Sequence, residues 1–283
     1  MSESQPTLPS FFVIGAPKCG TTSVHHYLDQ HPDVAMTIDK EPQLFAGADY
    51  DRARLARYEA LFRWDAPVRG ESSAVYSQFP RWADIPARIA DAVPAARFVY
   101  LVGDPIDRAL AHYSQLVNDG KEHRPIEDAL ADWDAEDNPY LCPSRYATQL
   151  RQYLDHFDRE SILVVDQRDL LDRREATMAR VFEFLGVDPD FCSPDFGERL
   201  NTRAVQRPET ALGRRVRGTR AFAAVRRAPL PGPARRGLRR LVSRPVPRPS
   251  LAPSFRDQLA GSLADEVAWL RSFTGQEFAS WSV

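Results

Sequence analysis

The sequence predicts a three-layer α/β fold, a central parallel β-sheet flanked by helices, and three observations carry that expectation. Short β-branched and aromatic runs alternate with helical patterns along most of the chain. The first of these runs hands over directly to a glycine-containing turn and a helix. Hydrophobic residues make up 43% of the 283 positions and charged residues 27%, which suits one large buried sheet better than a string of small modules.

The elements follow in order. Phe11, Phe12, Val13 and Ile14 form an apolar run ending at Gly15, and Val24, Tyr27 and Leu28 mark the inner face of a helix that starts at Thr21 and stops near His31 and Pro32. Residues 33–37 read as a second strand, 52–62 as a helix and 68–72 as a strand leading to Tyr76. Residues 97–102 are a strong strand pattern, and Pro105 is suited to open the helix that runs to 117. A helix over 144–157, a strand over 162–165 and a helix over 176–185 closed by Gly186 continue the alternation. Leu259, Leu263, Val267 and Leu270 give a closing helix over 255–273 its apolar stripe. We expect a single domain over residues 8–283, interrupted by an arm or lid rich in Arg and Pro at about 203–253.

Composition removes several classes of function. No apolar run approaches the roughly 20 residues that span a bilayer, and the first ten residues are polar without a basic start, so a cytoplasmic location is expected. Cys19, Cys142 and Cys192 are too widely spaced for a zinc site or a disulfide framework, and His25, His26 and His112 lack ligand spacing, so no metal is expected. Only three of the 37 basic residues are lysines: Lys18, Lys40 and Lys121. Two of the three fall within motifs.

The first motif is Gly15-Ala16-Pro17-Lys18-Cys19-Gly20-Thr21-Thr22, lying where a strand becomes a helix. A helix N-terminus offers unpaired N–H groups and about half a positive charge, glycines let the backbone curl around an anion, and the threonines add hydroxyls. The ATP-binding loop G-x-x-x-x-G-K-[ST] keeps this glycine spacing but has a lysine where Thr21 stands. Here the ammonium sits mid-loop at Lys18, which argues against an ATPase and suits one oxygen of a single 5'-phosphate. The fold is thus of P-loop type. The second motif, Lys40-Glu41-Pro42-Gln43-Leu44-Phe45, places a base and a cation beyond the end of the second strand.

Together these segments resemble the sulfotransferase family that uses 3'-phosphoadenosine 5'-phosphosulfate, closest to its heparan-sulfate and bacterial carbohydrate-type branch. The resemblance spans roughly residues 11–190 and, faintly, the last helix. It implies that Pro17, Lys18, Cys19, Gly20, Thr21 and Thr22 hold the 5'-phosphosulfate, with Lys18 neutralising the bridging oxygen as the sulfuryl group departs. It also implies that Glu41 is the general base and Lys40 its neighbour in the cleft, and that the stretch from Glu71 to Tyr76 shapes the acceptor side. Gln43 departs from the pattern, since a histidine is frequent there.

A larger departure lies after the fourth strand. The family pattern R-[DN]-P-x-x-R-x-x-S-x-Y is kept at Asp104, Pro105, Arg108 and Tyr113, but Gly103 replaces the arginine and Ala111 the serine that ligate the 3'-phosphate. Each lost charge-assisted bond is worth roughly 1.5–3 kcal/mol. Three explanations stay open: Ser114 and arm residues such as Arg203, Arg207, Arg214 and Arg215 substitute; the donor lacks a 3'-phosphate; or the chain binds without transferring. Arg108 is either a ligand or a structural partner of Asp104 or Asp107. The expected acceptor is a hydroxyl of a small molecule, sugar or glycolipid. Residues 214–248 hold twelve arginines and almost no aromatics, which points away from specific nucleic-acid binding and toward peripheral contact with anionic membrane or substrate. A nucleotide-dependent kinase is the rival enzyme.

Overall fold

The structure, a computed structural model, describes residues 8–197 and 249–283. Five parallel strands form one sheet in the order β2-β3-β1-β4-β5: β1 (Phe11–Gly15), β2 (Val34–Met36), β3 (Val68–Ser72), β4 (Arg97–Val102) and β5 (Ile162–Asp166). Phe11 to Gly15 are all buried, as a central parallel strand covered on both faces requires. The chain leaves β1 toward one side to build β2 and β3, then crosses to the other side for β4 and β5. The carboxyl ends of β1 and β4 therefore border the reversal point of the sheet, where open α/β folds form a crevice.

The helices are α1 (Thr21–Leu28), α2 (Ile85–Ala92), α3 (Pro105–Asn118), α4 (Ile126–Ala129), α5 (Tyr146–Leu154), α6 (Gln167–Asp172), α7 (Arg174–Leu185) and α8 (Pro253–Thr274). The five strands, α1, α3, α7 and α8 fall where the sequence places them. The segment 52–62 is not an α-helix but a 3₁₀ stretch, Arg52–Leu61. Its apolar residues Leu55, Tyr58 and Leu61 recur every three positions, the repeat of a 3₁₀ turn. The helix expected to begin at Ser144 begins at Tyr146 instead, because Ser144 lies in a short 3₁₀ turn where its hydroxyl donates to the Pro105 carbonyl at 2.7 Å and accepts from Arg108. The short helices α2, α4 and α6 have no counterpart in the sequence reading.

An aromatic core binds the sheet to its covering layers. Phe12 stacks on Phe98 at 6.0 Å and meets Phe45 edge-on at 5.6 Å, while Phe98 packs against Tyr153 and Phe157 at 4.9 and 4.6 Å. Such pairs add about 0.5–1.5 kcal/mol each beyond burial. The closing helix buries Leu259, Leu263, Val267 and Leu270, the stripe its spacing predicts. None of the described helices is long and apolar enough to cross a membrane.

Gly70 on β3 lies under this core, and a Cβ there would stand 2.1 Å from the Phe11 ring. Gly70→Ala is expected to destabilise the chain by about 1–3 kcal/mol through overpacking, read as a lowered midpoint in urea unfolding.

Candidate active site

Three strands feed directly into helices at the carboxyl edge of the sheet, and their turns are satisfied differently. After β4, the Asp104 side chain caps α3, accepting from the amides of Ile106 and Asp107 at 3.0 and 2.9 Å. After β5, Asp166 caps α6 by accepting from the Arg168 amide at 2.9 Å. After β1, no side chain caps α1 and no acid stands in its first turn. Gly20, in left-handed backbone at φ 99°, takes the cap position, and its carbonyl accepts from Ser23 and Val24. A carboxylate fills two of these helix ends; none of the described residues places one at the third.

The loop between β1 and α1 is braced from behind. The Ala16 amide donates to the Leu101 carbonyl on β4 at 2.5 Å, the Cys19 amide to the Ala16 carbonyl at 3.1 Å, and Gln167 Nε2 on α6 to the Lys18 carbonyl at 2.9 Å. Arg108 on α3 donates through Nη1 to the Pro17 carbonyl at 3.4 Å, through Nε to Ser144 Oγ at 2.5 Å, and through Nη2 to the Tyr140 carbonyl. It pairs with neither Asp104 nor Asp107. Asp107 instead meets Arg256 of α8 at 3.2 Å. Every nitrogen of this buried guanidinium is committed to protein oxygen, so Arg108 supports the loop from the side rather than presenting a free fork.

Lys18 itself has left-handed backbone, φ 75°, and its ammonium donates to Gln115 Oε1 on α3 at 3.0 Å. A neutral amide partner steadies the ammonium without cancelling its charge. Cys19 is turned inward toward the Tyr146 hydroxyl, 4.0 Å away, and burial pushes its thiol up to about 12, so the thiol is inert and only its backbone can serve the loop. Thr21 is buried, and Thr22 is partly exposed at the head of α1.

Glu41 sits one strand over. Its amide donates to the Ser72 carbonyl at the end of β3 at 2.9 Å, and β3 is paired to β1. One carboxylate oxygen accepts from the Ala74 amide at 2.9 Å and the other from Lys40 Nζ. The side chains of Lys40 and Glu41 are 21% and 30% exposed, open enough for a second molecule to reach. Lys40 also lies near α1, where its charge and burial together lower His25 to about 4. His112 on α3 is held near 3 by burial and by the charges of Arg108 and Lys18. Both imidazoles are neutral near pH 7, and no cluster of metal-ligating side chains exists among the described residues.

The remaining expectations resolve as follows. Ser114 Oγ donates to the Leu110 carbonyl one turn back at 2.7 Å, within its own helix. Arg145, at the entry to α5, is half-buried and donates to the Trp133 carbonyl at 2.9 Å. Tyr76 is packed into the core, where its hydroxyl accepts from the Phe45 amide at 3.2 Å. Arg203, Arg207, Arg214, Arg215 and the arginine-rich run 214–248 lie outside the described residues. At Gly103 the turn is closed: a Cβ there would meet Gln167 Oε1 at 3.0 Å, and the Tyr146 hydroxyl spans both the Gly103 amide and carbonyl at 3.3 and 2.7 Å. Asp104 Oδ2 also accepts from the Ser282 amide at 2.5 Å. Gln115, Gln167 and Glu71 were not singled out by residue type. Gln115 stands seven positions after Arg108, so helical spacing alone puts both on the face of α3 toward the loop.

The fold and this edge define a phosphate-loop α/β protein with an acid-base pair beside the loop. The model for the sulfotransferase family matches residues 40–190, more than half of the 283, and the chain belongs to that family of enzymes. The match takes in Lys40, Glu41, β3 and the turn after β4. The bovine (Bos taurus) bifunctional heparan sulfate N-deacetylase/N-sulfotransferase 2 is 25% identical over 206 residues, covering 64% of this chain and 22% of that protein. The mouse (Mus musculus) N-deacetylase/N-sulfotransferase 1 is 29% identical over 197 residues, covering 63% and 22%. The chain thus spans about a fifth of the length of these curated relatives. The crystal structure of a sulfotransferase from Alicyclobacillus acidocaldarius superposes with a TM-score of 0.68 at 24% identity, over 98% of this chain and 100% of that one, so the two share a fold.

Beneath Glu41, Glu71 is wholly buried, and burial outweighs the hydroxyls around it to raise its carboxyl from 4.5 to about 7. An acid raised on folding stabilises the folded chain fully below its unfolded value and loses that contribution as pH rises through the folded one. Stability should therefore fall by an amount on the order of 2–3 kcal/mol between pH 4.5 and 7 from this group. Urea unfolding at pH 5 and pH 8 checks it: the difference between Glu71→Gln and the parent chain should shift in favour of the variant at pH 8.

Proposed function

We propose that the chain transfers a sulfuryl group from 3'-phosphoadenosine 5'-phosphosulfate to a hydroxyl of a small molecule, sugar or glycolipid. The observation that carries this reading is the uncapped head of α1, the one of the three strand-to-helix turns with no carboxylate in it, with Lys18 on its loop and Glu41 on the neighbouring strand end. The amides of Gly20, Thr21 and Thr22, with the Thr22 hydroxyl, suit the 5'-phosphosulfate, while the Cys19 amide is taken by the Ala16 carbonyl. Lys18 supplies positive charge where the leaving phosphate gains negative charge, and Gln115 keeps the ammonium in place. Glu41 takes the acceptor proton, and Lys40, paired to one of its carboxylate oxygens, keeps it pointed. Attack is direct and in line, with no metal in the scheme. The names of the heparan sulfate N-sulfotransferase relatives favour a carbohydrate acceptor.

A second reading, a donor without a 3'-phosphate, is favoured by the closed turn at Gly103, where Gln167, Tyr146 and Ser282 take up the groups that a phosphate would need. Arm residues such as Arg203 are the proposed substitutes under the first reading.

Calorimetric titration separates the readings. Binding of adenosine 3',5'-bisphosphate at least tenfold tighter than adenosine 5'-phosphate supports the first reading, and equal affinities support the second. Tight magnesium-dependent ATP binding would favour a kinase. In turnover, Lys18→Ala should lose about 10²–10³ in kcat and Glu41→Gln about 10²–10⁴, and full activity in either variant contradicts the mechanism.

A further inference from the structure

The segment 41–45 is held in an unusual conformation. Glu41 and Gln43 have left-handed backbone, φ 66° and 55°, in residues without glycine's freedom. Single residues in this region cost on the order of 1 kcal/mol or more and persist only where surrounding bonds fix them. Those bonds come from the end of β3 and the turn after it. The Glu41 amide donates to the Ser72 carbonyl at 2.9 Å, the Gln43 amide to Ser73 Oγ at 3.2 Å and the Phe45 amide to the Tyr76 hydroxyl at 3.2 Å.

Two of the three acceptors are hydroxyls, and a hydroxyl that accepts in one direction must place its own proton in another. Glu71 receives those protons. Ser73 Oγ donates to its Oε1 and the Tyr58 hydroxyl to its Oε2, and Tyr76 also hydrogen-bonds the carboxyl. Each hydroxyl next to the segment is therefore a relay with the carboxyl on one side and a strained amide on the other. The groups facing Glu71 are Tyr58 from the 3₁₀ stretch, Ser73 and Tyr76 from the turn, Tyr153 from α5 and the Gln43 amide, and the phenols are pushed further above 10 by burial. The charged pair Lys40–Glu41 lies at the outer end, where Glu41 meets the Ala74 amide next to Ser73. A buried carboxyl without a cation among these partners is costly to keep, and holding the segment is the work the geometry gives it.

We propose that Glu71 is a positioning residue for Glu41: its buried carboxyl orients the Ser73 and Tyr76 hydroxyls, and these fix the left-handed segment that sets the Glu41 carboxylate at the carboxyl edge of the sheet. The proposal rests on the reading of Glu41 as the base, but its structural half stands apart from activity. Loss of the relay frees the Gln43 and Phe45 amides without disturbing the loop before α1.

Amide hydrogen exchange on the full chain, with turnover measured in parallel, tests both halves. Ser73→Ala and Glu71→Gln should each speed exchange of the 41–46 peptide by at least tenfold and leave the 16–24 peptide within twofold of the parent. In turnover, kcat should fall at least tenfold with the donor KM within twofold. Ser73→Thr, which keeps the hydroxyl, should restore both readouts to within about threefold, and the Glu71→Gln/Ser73→Ala double variant should be no worse than the poorer single one. Tyr76→Phe, which frees only the Phe45 amide, gives an independent variant should Glu71→Gln not fold. Unchanged exchange in Ser73→Ala and Tyr76→Phe, or single effects that multiply in the double variant, overturns the proposal. Faster exchange in the variants, with no turnover by the parent chain on the phosphosulfate donor, sinks the functional reading and leaves the relay standing.

Discussion

The structure turns on a helix, α1, whose first two amides, Thr21 and Thr22, meet no acceptor among the described residues. Every helix N-terminus leaves several N–H groups beyond the reach of its own carbonyls, and leaving them buried and unpaired is costly. At α3 and α6 an aspartate supplies the missing acceptor, whereas at α1 the left-handed Gly20 lets the chain enter the helix without bringing one. A dipole end so exposed, at the reversal point of a parallel sheet, is stable only because the loop around it is tied to β4, α3 and α6 by bonds that face away from the open side. A loop braced in this way is preorganised, which is what the proposed stabilisation of a leaving group requires.

The polar groups of the site follow a division between support and chemistry. Arg108, Gln167 and Tyr146 are spent on the backbone of two turns, and Gln115 on the ammonium of Lys18. Lys18, bonded to the Gln115 amide oxygen, and the Lys40–Glu41 ion pair place charge on the same edge. Arginine does the bracing because its planar fork can bond three separate oxygens at once. Lysine stands in the loop and beside Glu41, where a compact ammonium bonds a single oxygen.

Much of this was legible in the residues. Four of the five strands are apolar enough to announce themselves, because a strand covered on both faces cannot alternate, whereas β3 carries Arg69 and Glu71; the glycine spacing with Lys18 and the two threonines marks the loop without any knowledge of the fold. The apolar residues Leu55, Tyr58 and Leu61 fit a helix pattern as well as a 3₁₀ one, because a three-residue period and a 3.6-residue period differ little over ten positions. Ser144 was read as a helix cap when its hydroxyl belongs to Arg108 from another element. Contacts of that kind, with Gln167 on the loop and Tyr146 on the Gly103 turn, join residues 43 to 149 positions apart and leave no trace in local pattern. Glu71 carried a weak signal, a single acid within a strand pattern, but its partners Tyr58 and Ser73 come together only when β3 and the 3₁₀ stretch pack.

The most direct measurement of the central claim is a backbone amide titration by NMR, following the chain as adenosine 3',5'-bisphosphate is added. The account predicts that the amides of Gly20, Thr21 and Thr22 show the largest saturable shifts, while the aspartate-capped amides of Ile106 and Asp107 move little. Saturable binding that leaves the head of α1 unshifted would contradict it.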